Sequence, residues 1–348
     1  MQKATLVGID LGKNTFHLHG QDQHGHQVLR KKIGRDQLMT FCAELPTCTI
    51  VMEACVGAHF MAREFSALGH RVKLISPQFV RPFVKGSKND FVDAEAICEA
   101  ASRPSMRFVC PKNESQQALS ALHRVRQSLL DDRVRTGNQI HAFLLEFGVT
   151  LPPSFNLAKL LPSVLASRPV PPSMATLLTQ LHAHFIYLRA QITKVEKEIL
   201  AQLKFDELGQ RLLTIPGIGP ITASALTSEL GDGRQFTCGR DFAAWLGLVP
   251  RQHSTGGKTI LVGIGPGTGK PLRTLLILCA RSYMLIAHRQ SGPLAEWVRA
   301  LMLRRTNNVV ACAVANKLAR IAWAVASRNS RFEPESSSHK QRCSNVKS

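Results

Sequence analysis

The chain has 348 residues, 44% of them hydrophobic, with 44 Lys/Arg against 24 Asp/Glu and a formal net charge of +20. That content excludes a disordered chain, and the length allows two or three domains with cores of their own. No apolar run is read as long enough to cross a bilayer and no leader segment is recognised, so the expectation is a soluble cytoplasmic protein.

Charge is unevenly placed. Residues 211–348 hold 19 Lys/Arg against 6 Asp/Glu, and residues 1–210 hold 25 against 18. An excess of this size points to a polyanion, and without a concentrated basic amphipathic helix nucleic acid is favoured over a membrane surface. The nine cysteines include no CxxC pair and sit singly in apolar runs. They read as buried small hydrophobes of a reduced compartment.

In chain order, residues 4–10 form a buried strand that ends in Asp10, followed by strands over 14–20 and 27–33. Together they predict an antiparallel meander. A helix is predicted over 36–44, then an apolar strand, 48–53, that ends in Glu53. A helix over 58–68 stops at Gly69, a strand covers 71–75, and Ser76-Pro77 opens a further helix. A helix from Asp90 to Ser102 follows. Three antiparallel strands and then alternating helix and strand is the layout of the ribonuclease H-like α/β fold.

Apolar residues recur every three or four positions over 115–147 and again over 178–203. They predict two long helices that make an antiparallel pair or coiled coil, separated by a segment, 148–172, whose six prolines prevent continuous helix. Such a pair could pack on its own domain or serve as an arm for dimerisation or for gripping nucleic acid. Ile215-Pro216-Gly217-Ile218-Gly219 before a helix is a helix–hairpin–helix signature. Its glycines allow close approach to a phosphate, although an ordinary tight turn has the same composition. Residues 242–248 read as a short helix and 248–259 as a loop. The glycine-rich run 263–269 fails as a phosphate loop, because Ile264 stands where a glycine is needed and Pro271 follows Lys270. Helices are predicted over 272–287, 294–303 and 309–326, and a disordered tail from 329. The domains are therefore 1–112, a helical region 113–207, a mostly α domain 208–328, and the tail 329–348.

Two groups of residues carry chemistry. Asp10, Glu53, Asp90 and Asp93 lie on three segments that the predicted sheet would bring to one edge. Hard divalent cations take carboxylate oxygens, and a pair of Mg²⁺ ions can activate and stabilise the oxygens of a phosphodiester. Asp90 and Asp93 share a helix face, where they would equally serve as N-terminal caps, and Asp10 alone could be a turn acid. The second group is Arg251, His253, Ser254 and Lys258 beside Gly256-Gly257. A serine among cations could attack phosphorus, and a serine in a glycine-rich loop is also an ordinary turn residue.

Six blocks then identify a family. They are Gly-Ile-Asp-Leu-Gly-Lys (8–13), Met-Glu-Ala-Cys (52–55) with Gly-Ala-His (57–59), Lys-Asn-Asp-Phe-Val-Asp-Ala-Glu-Ala-Ile (88–97), Ile-Pro-Gly-Ile-Gly (215–219), the block 243–258, and Ala-Asn-Lys-Leu-Ala-Arg-Ile-Ala-Trp (315–323). From residue 5 to about 330 the chain resembles the DEDD transposases of bacterial insertion sequences, the one-ten family and its eleven-eleven subgroup. The resemblance implies an N-terminal RuvC-like domain with Asp10, Glu53, Asp90 and Asp93 as catalytic metal ligands, Mg²⁺ as cofactor, a coiled-coil linker and a C-terminal transposase domain. It implies that Ser254 forms a covalent link to DNA, with Gly217, Gly219, Arg251 and Lys258 toward DNA or RNA. It also implies a structured guide RNA from the element, a homo-oligomer (dimer or tetramer) and a nucleoid-associated place in the bacterial cytoplasm. Val56, Phe91-Val92 and the stretch 265–269 depart from the family's usual residues. The first two flank metal ligands, and none removes a catalytic position.

The alternatives are a RuvC-like endonuclease with water as nucleophile, an actin-like sugar kinase suggested by Asp10-Leu11-Gly12, and a non-catalytic DNA-binding protein. The kinase lacks a second phosphate loop, and the binding protein leaves four acids unexplained in a basic chain.

Overall fold

The computed structural model describes residues 4–86, 89–152, 156–168, 170–265, 267 and 269–334. Lys88 of the acidic motif, Pro266 and Thr268 of the glycine-rich run, and residues 335–348 of the expected tail lie outside the described residues. The chain divides into two compact units, 1–117 and 118–348.

The first unit is α/β. Strands β1 (Leu6–Leu11), β2 (Thr15–Gln21) and β3 (Gln27–Gly34) form the expected antiparallel meander. They are followed by α1 (Arg35–Glu44), β4 (Thr49–Glu53), α2 (Ala58–Ala67), β5 (Arg71–Ile75), α3 (Pro77–Val80), α4 (Asp90–Ala101) and β6 (Phe108–Val109). The six-stranded sheet runs β3-β2-β1-β4-β5-β6. β4 is parallel to β1 and β5 to β4, whereas β6 is antiparallel to β5. β1 and β4 are covered on both faces, which is why they read as near-continuous apolar runs. One face, with Val7, Ile9, Phe16, Leu18, Ile50 and Met52, packs on Leu38, Met61 and Phe65. The other, with Val51 and Ile75, packs on Ala96, Ile97 and Ala100 of α4. Gly8 makes the second contact possible, since a Cβ there would lie 2.5 Å from the Ala94 carbonyl oxygen and 2.8 Å from Cys98 Sγ.

The second unit is mostly helical. α5 (Glu114–Glu146) leads into it, followed by α6 (Leu157–Ser167), α7 (Pro172–Leu203), α8 (Glu207–Leu212), α9 (Pro220–Leu230) and α10 (Gly239–Trp245). A hairpin of β7 (Pro250–Thr255) and β8 (Lys258–Ile264) interrupts the helices before α11 (Lys270–Ile286), α12 (Pro293–Met302) and α13 (Asn307–Ser327). α5 and α7 run in opposite senses. Arg126 Nε and Nη2 each lie 2.8 Å from Glu196 Oε1, and farther along α5 Gly137 faces Phe185, earlier on α7. Ile140, Leu144, Leu157, Leu161 and Leu178 close a small core of α5, α6 and α7.

Three expectations are corrected. Residues 248–259 are not a loop throughout, because 250–264 form the hairpin. Its two-residue turn is Gly256-Gly257, with φ of +55° and +78°, the left-handed pair that matches the twist of a tight hairpin. β7 carries no apolar alternation to reveal it. Secondly, α13 is long and apolar enough, by length and composition, to cross a membrane. Val310, Val314, Leu318, Ala322 and Val325 are instead buried in the unit's main core, where α13 packs against α10 and α11. Finally, the described start of the expected tail packs on the core as far as Phe332. Phe332 lies against the same core, and its amide donates to Thr214 Oγ1 at 2.9 Å.

Candidate functional site

Asp10 lies near the end of β1, and Glu53 ends β4. The parallel register pairs Ile9 with Met52, so the next residues, Asp10 and Glu53, emerge side by side on the α4 face of the sheet. α4 points its N-terminus at the same place. Asn89 caps it, its Oδ1 accepting from the Phe91 amide at 3.0 Å. Asp90 and Asp93 occupy the first turn, where the helix dipole favours negative charge. The result is a convergence in which Asp10, Asp90 and Asp93 each offer a carboxylate oxygen, all within 4.8 Å of one another.

Glu53 stands outside that group of three but belongs to the same electrostatic site. Burial, then the charges of Asp10 and Asp93, push its carboxyl above the usual carboxylate range. Like charges crowded at a sheet edge need a counter-charge. The donor set is all oxygen, and a hard cation bound at about 2.0–2.6 Å can bridge oxygens this far apart. The residues therefore fit a divalent metal.

The structure adds a neighbour that sequence reasoning missed. His17 on β2 pairs directly with Asp10 and is buried. Its Nδ1 lies 3.6 Å from Asp90 Oδ2, and its ring meets Phe91 edge-on at 4.7 Å between centroids. The tight connection from Leu11 to Thr15 is the signal that could have found it, because it sets Asp10 opposite His17. Of the unusual residues near the acids, Val56 points into solvent, 95% exposed. Phe91 is the one that packs, between His17 and Arg30.

The serine-bearing group lies in the second unit. Ser254 pairs with Thr259 across the hairpin, and Gln252 Nε2 donates to its Oγ at 2.6 Å. Asn316 Nδ2 donates to the Leu248 carbonyl just before β7, and Arg273 Nη1 donates to the Gly265 carbonyl just after β8. The base is thus anchored while every residue of β7 is exposed. The expected clustering of cations around the hydroxyl is only partial. His253 pairs with Ile260, and Lys258 with Thr255, which sets both on the face opposite Ser254.

The two glycines of 215–219 differ. Gly217 has φ +85°, and a Cβ there would lie 3.0 Å from Tyr283 Cβ and 3.3 Å from the Cys279 carbonyl oxygen. It serves close packing on α11. Gly219, at the N-terminus of α9, has open space where a Cβ would be.

The family model described as Transposase IS116/IS110/IS902 family matches residues 209–293. A second transposase model, the DEDD type of IS110, matches residues 7–148. The chain is 58% identical over 332 residues to the transposase for insertion sequence element IS1328 of Yersinia enterocolitica, covering 95% of this chain and 99% of that protein. It is 38% identical over 335 residues to the transposase for insertion sequence element IS1111A of Coxiella burnetii, covering 95% and 92%. A more distant relative, 24% identical over 352 residues, is the pilin gene-inverting protein of Moraxella bovis, with 94% and 98% covered.

Proposed function

This chain belongs to the IS116/IS110/IS902 family of insertion-sequence transposases, and on that premise we propose that it cuts and rejoins DNA at Asp10, Glu53, Asp90 and Asp93 with Ser254 as the group that bonds to DNA. Its DNA partners are the element ends and the target. The observation that carries this reading is the meeting of Asp10, Asp90 and Asp93 within 4.8 Å, with Glu53 beside them. The strand order β3-β2-β1-β4-β5, with a meander followed by two parallel strands, supports reading the first unit as RuvC-like, of the ribonuclease H-like class.

Asp10, Asp90 and Asp93 would hold the metal, for which Mg²⁺ is the hard, oxygen-seeking choice, and Glu53 would complete its ligands. A divalent cation bound there supplies Lewis-acid polarisation of the phosphodiester and neutralises the charge that develops on its oxygens. His17 orients the Asp90 carboxylate from the sheet side. Ser254 Oγ attacks phosphorus, so one Oγ–P bond forms as one P–O bond of the DNA backbone breaks. The hydroxyl proton ends on the departing sugar oxygen. One ester replaces another, and rejoining is the reverse step with a second strand's hydroxyl. Gln252 Nε2 donates to Ser254 Oγ, so that contact does not use the serine's own proton.

Beyond the catalytic residues, we read Arg251, Lys258 and Gly219 as the backbone-facing side of the second unit, with Gly217 packed on α11 instead of facing a phosphate, α8–α9 as a helix–hairpin–helix, and α5–α7 as a coiled-coil arm. A structured guide RNA, a homo-oligomeric dimer or tetramer, and a place at the bacterial nucleoid complete the proposal. The +20 charge supports polyanion partners in general.

The test of the metal centre is calorimetric titration of Mn²⁺, a Mg²⁺ surrogate, into the purified full chain. Saturable binding by the wild type that is lost in Asp10→Asn and in Asp93→Asn is the expected result. Equal binding by the variants would sink the proposal.

A further inference from the structure

The register that assembles the acids also aligns a row of other side chains. Glu53 on β4, Asp10 on β1, His17 on β2 and Lys32 on β3 stand in line across the α4 face of the sheet. One step along, Gly8, His19 and Arg30 form a second row on that face. β3 is the free edge of the sheet. It carries Arg30, Lys31 and Lys32 consecutively, all exposed. Alternation sends Arg30 and Lys32 to the side of the acids and Lys31 to the other, where its Nζ rests over the Phe41 ring at 4.1 Å. Arg30 is held over Phe91, 4.3 Å from the ring centroid, immediately beside Asp90. That contact fixes the plane of the guanidinium while leaving its N–H edge free for an oxyanion. Among the described residues no carboxylate lies within ion-pair distance of Arg30 or Lys32.

We propose that Arg30 and Lys32 form a rail on the β3 edge that grips the backbone of the DNA strand entering the carboxylate site. The row gives the spacing. Lys32 is two strands from Asp10, about 10 Å away, within reach of a neighbouring phosphate of the same strand. A strand with one phosphate at the acids therefore has a later phosphate over Lys32, with Arg30 beside it. The placement also resolves an electrostatic difficulty: four carboxylates repel a polyanion, and two cations on the same face offset that repulsion where the strand must come closest.

The inference rests on the reading of the acids as the place where DNA is cut, and it is tested apart from that reading. Binding of the full chain to a DNA duplex carrying the element's end is measured by fluorescence anisotropy in EDTA between 50 and 200 mM salt. Each lost phosphate contact lowers the slope of log affinity against log salt by about 0.9. Arg30→Gln/Lys32→Gln should lower it by about 1.8, Arg30→Lys/Lys32→Arg should retain it, and Lys31→Gln, which removes one charge from the other face, should leave it unchanged. Circular dichroism of each variant guards against misfolding. An unchanged slope in the double variant, an equal fall in Lys31→Gln, or a loss of affinity for duplex RNA alone would overturn the rail. Failure of Mn²⁺ binding would overturn the metal centre and leave these slopes standing.

Discussion

Glu53 is where the charge crowding of the site is felt. Its carboxyl is held above the ordinary carboxylate range by burial and by Asp10 and Asp93. A raised folded-state value means that protonated Glu53 stabilises the fold and that this contribution is lost as pH rises through the raised value. At neutral pH the metal-free protein therefore carries a cost that Glu53→Gln removes. Scanning calorimetry should show a higher melting temperature for Glu53→Gln than for wild type in EDTA, and a smaller upward shift on adding Mn²⁺. The opposite ranking in EDTA would mean that the acids do not repel one another. His19 carries the opposite sign. Burial lowers its value below 6.5, so its contribution is present above pH 6.5 and is lost as pH falls below it. Melting of His19→Gln should depend less on pH between 7 and 5 than that of wild type. At this scale Asp10 and Glu53 were legible because each comes at the end of an apolar run, and Asp90 and Asp93 because they open a helix, all in a basic chain. His17 was not, because its role depends on which residue pairs with Asp10. The positive φ and tight packing of Gly217 were likewise hidden, since a glycine close to Tyr283 and one close to a phosphate look alike in sequence. The reading of the cysteines as buried holds for Cys42, Cys48, Cys98 and Cys279, and Cys42 and Cys98 are pushed up to about 12 by apolar burial, whereas Cys55, Cys238 and Cys312 are half-buried and Cys110 is exposed.

Among the elements, α4 matters most, because it supplies two acids and closes the face they share. Its approach depends on Gly8. Ala at that position would drive a methyl into the Ala94 carbonyl and Cys98, and overpacking of this kind costs about 1–3 kcal/mol. Gly8→Ala should melt lower and bind Mn²⁺ more weakly, because lifting α4 separates Asp90 and Asp93 from Asp10. Unchanged metal affinity would show that α4 does not position the acids. Most elements could be placed from sequence because their periodicity is strong. The stripes over 115–147 and 178–203 became α5 and α7, and the short apolar runs that end in Asp10 and Glu53 became β1 and β4. The β7–β8 hairpin escaped because polar, exposed strands carry no alternation, and only the Gly-Gly turn marks them. β6, two residues long, is below any pattern. α13 was recognised as a helix, but its full apolar length was not, since its burial comes from helices distant in sequence.

Across the whole molecule, the acids lie in one compact unit and Ser254 in the other. The charge excess is greatest in the half that contains Ser254, with 19 Lys/Arg against 6 Asp/Glu over 211–348. The uneven charge, and with it a polyanion partner, was legible in the composition. The geometry of the acids was visible only in part, and the proposed role of the serine rests on family resemblance. The most direct test is a covalent trapping assay. The purified full chain is incubated with labelled element-end DNA, Mg²⁺ and the transcript of the element's non-coding end, then resolved under denaturing conditions. The expected result is a protein–DNA adduct for wild type, no adduct for Ser254→Ala, and none for Asp10→Asn although that variant still binds DNA. An adduct that persists in Ser254→Ala, or strand cleavage by Ser254→Ala at the wild-type rate with no adduct in either protein, would contradict it.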